Sequence, residues 1–418
     1  MELSVLLITG IVLGVGVIVL VSGELSITNG LSKASRYILA GFLSFGVMGL
    51  TVKAVAILLL QSNPVLARAV DASSIGVYEK STEGQGRGLI YPVRSKHWKA
   101  LPMEGDQPDL KLVNLGKRLF FDQRLSSTKT VSCASCHIIG LGGDDNAAVS
   151  SGINGKKGTR NAPTVLNAAF LNRLFWDGRA RSLEDQAIGP FLNPIEMAMP
   201  SEEAVVEAVS KDPIYASLYE KSLGLPITID GLLSAIAAFE KTLVVQDSPY
   251  DRFVRGDETA MTPQQLKGMV LFDEIGCRNC HMDPYFSVAG IEKKSPFRSF
   301  PVFKGSDYIS KYDLDADKGL RDQGVWRVPS LRNIAETAPY FHNGSVTSLE
   351  DAVKVMASAQ LGLTISDQAR DDLTILYDLD GRVTVKKGRS LNTEEISALV
   401  AFLKSLSGTL PMVENPWR

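Results

Sequence analysis

The sequence predicts a mainly α-helical protein of two similar units in tandem, preceded by an N-terminal transmembrane helical anchor. Three observations predict it. The N-terminus holds two long apolar stretches. The pentapeptide C-x-x-C-H occurs twice, as Cys133-Ala134-Ser135-Cys136-His137 and Cys277-Arg278-Asn279-Cys280-His281. Each copy lies between a short amphipathic helical pattern and a closing apolar one.

The two pentapeptides use all 4 cysteines of the chain. Cysteines three apart share one face of a helical turn, so both thiols can add to the vinyl groups of one haem. The histidine that follows then supplies the proximal nitrogen to iron. Zinc would want pairs that converge, and a redox dithiol has no need of the trailing histidine. Disulfides need no such spacing. The pattern is that of a di-haem c-type cytochrome with two covalently bound haem c groups. At 418 residues the chain has room for about two or three domains. A net charge of −2 without a basic block argues against nucleic acid as a partner.

From the N-terminus, Ser4 to Ser22 is uncharged and apolar, long enough to cross ~30 Å of hydrocarbon. Tyr37 to Gln61 is a second such stretch, interrupted by Lys53. The intervening loop carries Lys33 and Arg36 against Glu24, so the positive-inside rule puts that loop in the cytoplasm. The haem part then faces outward, in the periplasm, where covalent haem attachment takes place. Residues 1–69 are thus expected to be an inner-membrane anchor, with helices about 4–22 and 37–61. A competing reading cleaves a late signal peptide at Ala67-Arg68-Ala69.

Residues 70–105 read as a tether and N-terminal arm, 106–250 as a first haem domain and 251–418 as a second. Leu112 to Asp122 forms the helix leading into the first motif, and Pro263 to Glu274 leads into the second, with Thr262 as N-cap. Asp230 to Val245 closes the first unit; Thr393 to Leu406, with a Thr-x-Glu-like cap, closes the second. The polar tract Ser248 to Thr262 is the expected boundary. Leu373 to Lys387, with β-branched runs about Asp380-Gly381, suits a hairpin.

Between the haem motifs stand Gly158-Thr159-Arg160-Asn161-Ala162-Pro163-Thr164, Phe175-Trp176-Asp177-Gly178-Arg179-Ala180, Ile195-Glu196-Met197 and Ala338-Pro339-Tyr340-Phe341-His342-Asn343-Gly344-Ser345. In these residues the chain resembles the bacterial di-haem cytochrome c peroxidases across about Leu110 to Gly408. The resemblance implies that the first haem, on Cys133, Cys136 and His137, is the peroxidatic one. The second, on Cys277, Cys280 and His281, is then a high-potential electron-transfer haem with Met356 as its sixth ligand. It also implies that Glu196 moves the proton of peroxide cleavage, with Gln186 and Phe175 lining the same pocket and Trp176 between the two haems. Asn161, Thr337 and Pro339 match positions that hold a calcium ion, the last two through backbone carbonyls. The implied partners are hydrogen peroxide and a small donor, a cytochrome, a copper protein or a quinol-linked carrier, with homodimers common in the family.

One departure stands out. Many of these peroxidases cap the resting peroxidatic iron with a histidine in the loop before Gly158, and Ile153 occupies that position here. Of the 4 histidines, two are proximal, His342 belongs to the Pro-Tyr-Phe-His motif and is expected to hydrogen-bond near the second haem, and His97 lies in the arm. Ile153 also suits a di-haem oxidase resembling the enzyme that matures tryptophan tryptophylquinone, although that enzyme carries a tyrosine where Met356 stands. A non-enzymatic electron carrier would need no carboxylate over an open iron, so the setting of Glu196 counts against it.

Overall fold

The computed structural model describes residues 98–103, 108–224, 226–291, 296–367, 371–377 and 383–417. The two predicted membrane spans, the cleavage site and His97 lie outside the described residues. No helix among the described residues is long and apolar enough to cross a membrane. The described residues belong to the compact unit that spans 89–418.

This unit is helix-rich and built twice on one plan. In the first half, α1 (Leu110–Phe121) crosses α5 (Ile229–Glu240), with α2 (Leu183–Leu192), α3 (Glu202–Ser210) and α4 (Pro213–Leu223) between them in sequence. In the second half, α6 (Pro249–Val254) is followed by α7 (Pro263–Glu274), α8 (Leu349–Val355) and α9 (Thr393–Lys404), with α7 crossing α9. Each crossing is made close by a glycine. A Cβ on Gly116 would sit 1.8 Å from the Ala235 carbonyl oxygen, and one on Gly268 would sit 1.9 Å from that of Ala398. One turn beyond each glycine comes a phenylalanine: Phe120 meets Phe239 edge to ring, and Phe272 meets Phe402 in a tilted pair, both at 5.2 Å between centroids. Both pairs are buried. Two backbones in contact with an aromatic pair beside them leave each helix pair little freedom to slide.

The helices begin where their caps dictate. Thr262 accepts from the Gln265 amide and Gln265 reaches back to Thr262, a capping box that starts α7 at Pro263 as expected. At α9 the reciprocal pair is Asn392 and Glu395, so Asn392 and not Thr393 is the cap. The closing helix of the first half ends at Glu240, short of Val245, and begins after Thr228. The tract 248–262 is less loose than its polarity suggests. Its Pro249–Val254 turns form α6, and Tyr250 and Phe253 enter the second apolar core. Asp251, fully buried, takes the Arg332 guanidinium at 2.7 and 3.0 Å.

The expected hairpin is present: Asp371–Tyr377 pairs antiparallel with Val383–Leu391, which also takes the short parallel strand Thr364–Ile365. A two-stranded ribbon, β1 (Phe297–Ser299) with β2 (Val325–Arg327), faces the first half. Its Arg327 amide donates to the Trp176 carbonyl at 3.0 Å. The segments flanking the two units cross over. Trp98 packs on the second core against Tyr250 and Phe402. Leu410, Val413 and Trp417 return to the first core, where the Trp417 indole donates to the Arg118 carbonyl at 2.9 Å.

Candidate functional site

Cys133–Cys136 forms a single helical turn and Cys277–Asn279 a 3-10 turn, so in each motif the two sulfurs stand on one side of a turn. No disulfide links any of the four. Among the described residues no cluster of three His, Cys, Asp or Glu side chains forms a metal site, so the two cysteine pairs do not converge as zinc would require.

The proximal histidines are set alike. The Nδ1 of His137 lies 3.1 Å from the Gly143 carbonyl, and that of His281 lies 3.1 Å from the Phe286 carbonyl. Each ring also feels a proline carbonyl, from Pro163 and Pro329 respectively. Burial lowers the His137 pKa and takes His281 to about 4, so both rings are neutral. A neutral imidazole with Nδ1 held by a carbonyl presents Nε2 to a metal. These prolines open a second repeat, Pro163-Thr164-Val165-Leu166-Asn167 and Pro329-Ser330-Leu331-Arg332-Asn333. Both asparagines are buried in the left-handed backbone conformation, at φ 59° and 57°. Asn167 bonds both ways to Val245, and Asn333 accepts from Gly408 after its own amide meets Leu406. Each loop is thus tied to the chain just after the closing helix. The repeat was readable in the sequence and is absent from the reading above.

Met356 follows α8 where the chain widens into a π-helical turn, Met356–Gln360. It lines one apolar cavity together with Cys277, Cys280 and His281. A planar apolar group anchored to two thiols fits this cavity, with an imidazole and a thioether available to its metal. Trp176, Asn161, Thr337, Pro339 and His342 line the same cavity.

Glu196 sits just beyond α2. The Asn193 side chain, at the C-cap of that helix, donates to Glu196 Oε1 at 2.7 Å and accepts from the Ile195 amide at 2.9 Å. Ile153 holds the loop from the other side, its amide donating to the carbonyls of Ile195 (3.1 Å) and Glu196 (3.0 Å). Its side chain is buried in the first core. Gly152 comes closer still: a Cβ there would lie 1.9 Å from the Ile195 oxygen. Burial raises the Glu196 pKa, against the opposing pull of Arg179 and Asn193, and its charge acts on both Cys133 and Cys136. Gln186 and Gly189 lie one turn apart on α2, and a Cβ at Gly189 would be 3.2 Å from the Phe175 ring. Phe175, at φ 62°, carries Arg179 over its face at 3.5 Å. Asn193 was not foreseen; its only sequence signal is a helix-ending Asn-Pro pair.

Trp176 stands at the seam of the two halves. Its indole donates to the Asn161 carbonyl at 2.9 Å, and the Asn161 amide donates to the His342 carbonyl at 2.8 Å. The His342 ring stacks on Trp326 at 4.1 Å, and its buried Nε2 meets no partner among the described residues. The Asn161 side-chain amide is turned to the Ala147 carbonyl at 2.9 Å. A further group missed from sequence is Glu240, buried at the end of α5, with a carboxyl raised to about 8 by burial and by Glu184.

Comparisons with known proteins agree with this geometry. The family model for di-haem cytochrome c peroxidase matches residues 110–259. Cytochrome c551 peroxidase of Pseudomonas aeruginosa is 39% identical over 312 residues, covering 72% of this chain and 80% of that protein. Methylamine utilization protein MauG of Paracoccus denitrificans is 33% identical over 352 residues, covering 72% and 89%. Among solved structures, a MauG-like protein associated with microbial copper homeostasis superposes with a TM-score of 0.61 at 27% identity, over 76% of this chain and 99% of that one. The doubled helix crossing, the two carbonyl-held histidines and these relatives lead to one conclusion: the chain belongs to the di-haem cytochrome c peroxidase family of oxidoreductases, whose cofactors are two haem c groups.

Proposed function

We propose that this protein reduces hydrogen peroxide to two waters, using two protons and two electrons from a small redox donor. The observation that carries the reading is Glu196: a buried, proton-favouring carboxyl, fixed by Asn193 and the Ile153 amide, with its charge felt at both cysteines of the first motif. Cys133, Cys136 and His137 would hold the first haem, and Cys277, Cys280, His281 and Met356 the second. When bound, haem iron supplies the peroxide-cleaving redox chemistry, which the polypeptide orients and tunes.

Glu196 accepts the proton of the bound peroxide's inner oxygen and returns it to the outer oxygen, which leaves as water. Gln186 and Phe175 shape the pocket around that transfer. Trp176 bridges the halves and shortens the electron path between them. The Met356 thioether, a weak donor lining the same cavity as His281, would raise the potential of a haem held there. Asn161, Thr337 and Pro339 offer only neutral oxygens, which suits a hard cation such as calcium with added waters.

The division into residues 106–250 and 251–418 assigns one haem to each unit. Residues 1–69 serve as a two-helix inner-membrane anchor that leaves the haem units in the periplasm, supported by the Lys33 and Arg36 loop. A homodimer fits the family resemblance.

Ile153 favours a second reading, an oxidase acting on a protein substrate as a MauG-like relative would, and Met356 weighs against it. Turnover separates the readings. The purified holoenzyme is expected to consume peroxide with a reduced small cytochrome, two donor molecules oxidised per peroxide. Donor oxidation no faster than in the absence of enzyme would reject the proposal.

A further inference from the structure

The cavity that contains His281 and Met356 is also lined by Trp176 and by three buried polar groups, of which one is a guanidinium without a carboxylate and two are ring nitrogens without a partner. Arg327 is only 3% exposed. Its guanidinium donates to two neutral carbonyls, Phe175 at 2.8 Å and Val328 at 3.3 Å, and among the described residues no carboxylate pairs with it. The nearest acid that acts on it, Asp177, is already bound by Arg160 at 2.7 Å and Arg179 at 2.9 Å. Burial accordingly depresses the Arg327 pKa to about 10. Trp326, 5% exposed, buries an indole N–H without an acceptor, and His342, 2% exposed, buries an Nε2 without a partner. The two rings stack at 4.1 Å between centroids. All three residues line the cavity.

A buried cation bonded only to carbonyls, beside an indole donor with nothing to donate to, has the donor set of an anion site. An indole N–H can only donate, and an imidazole Nε2 can carry the ring's proton and donate it. We propose that Arg327, Trp326 and His342 form the carboxylate seat of this cavity, receiving the propionate groups of the second haem and setting its potential through their charge. This rests on the reading that Cys277, Cys280 and His281 hold a haem there. A guanidinium close to a redox centre stabilises the reduced, more negative state, and an N–H donated to the propionate offsets that carboxylate's opposing charge. Loss of either lowers the potential.

The test is a redox titration of the full-length holoenzyme, followed optically at each haem, with haem counted separately. Trp326→Phe keeps the ring and its stack but removes the N–H, and Arg327→Gln removes the charge. Both are expected to lower the midpoint potential of the second haem and leave the first unmoved. Arg327→Lys should restore most of the shift, which simple repacking would not do. Two haems retained with the second potential unchanged in Trp326→Phe and Arg327→Gln would overturn the proposal, as would a shift confined to the first. If Arg327→Gln fails to fold, Trp326→Phe decides alone. A wild-type protein with one haem would instead overturn the underlying assignment.

Discussion

At the scale of single residues, the chemistry rests on side chains whose neighbours were brought from far along the chain. Met356 was legible as a candidate from its distance to the Pro-Tyr-Phe-His motif, but a methionine in a helical stretch is as often core. Its place on the cavity wall with His281 adds weight to the ligand assignment. Met356→His is expected to keep both haems bound and to lower the second potential, since a nitrogen donor favours the oxidised metal more than a thioether does. An unchanged potential would return Met356 to the core. Asn193 and Trp326 were illegible because no local signal marks their roles, the Asn193-Pro194 pair indicating only a helix end. Asn193 matters through a contact three residues on, and Trp326 through a stack on His342, and neither leaves a periodic trace.

At the scale of elements, helix positions followed apolar spacing and caps, as at Thr262 and Pro263, while ends drifted by a few residues. The tract 248–262 holds a helix that its polarity hides, because its polar residues are consumed internally: Ser248 caps α6, and the Asp251 carboxylate is buried under Arg332. The loop 151–157 carries the sharpest prediction at this scale. Gly152 has an ordinary backbone, at φ −93°, so its need for no side chain comes solely from the Ile195 carbonyl against it. Gly152→Ala should cost about 1–3 kcal/mol, the usual range for overpacking, and push the Glu196 loop outward. Thermal unfolding and peroxide kinetics together check this: a lower melting temperature and slower peroxide cleavage are expected, with two haems still present. The same loop lacks a histidine, so the resting first haem should give a high-spin electron paramagnetic resonance signal.

At the scale of the whole molecule, the duplication could be read from two haem motifs, and the finer Gly-x-x-x-Phe and Pro-x-x-x-Asn repeats were there to be read with it. The crossing of the flanking segments could not, because Trp417 and Arg118 lie 299 residues apart. Trp417 packs on Tyr215 at 5.7 Å with Arg124 over its ring at 4.3 Å, so a tail that follows the second unit clips the first. Trp417→Ala should therefore destabilise the first unit by about 2 kcal/mol, from lost apolar area and the cation–π contact. Calorimetry would show it as an earlier unfolding of that half, and an unaltered melt would make the tail an ornament of the surface.

On the proposed function the molecule cleaves peroxide at one site with electrons collected at another, and Glu196 is where that proposal is most exposed. Glu196→Gln is nearly isosteric, so haem content and spin state should stay as in the wild type. Stopped-flow absorbance, after reduction of the second haem and mixing with peroxide, isolates cleavage from electron entry. The wild-type Soret band should change rapidly and the glutamine variant ~10²–10⁴-fold more slowly, the usual worth of a positioned general acid–base. Equal rates in the two proteins would remove Glu196 from the reaction and contradict the account.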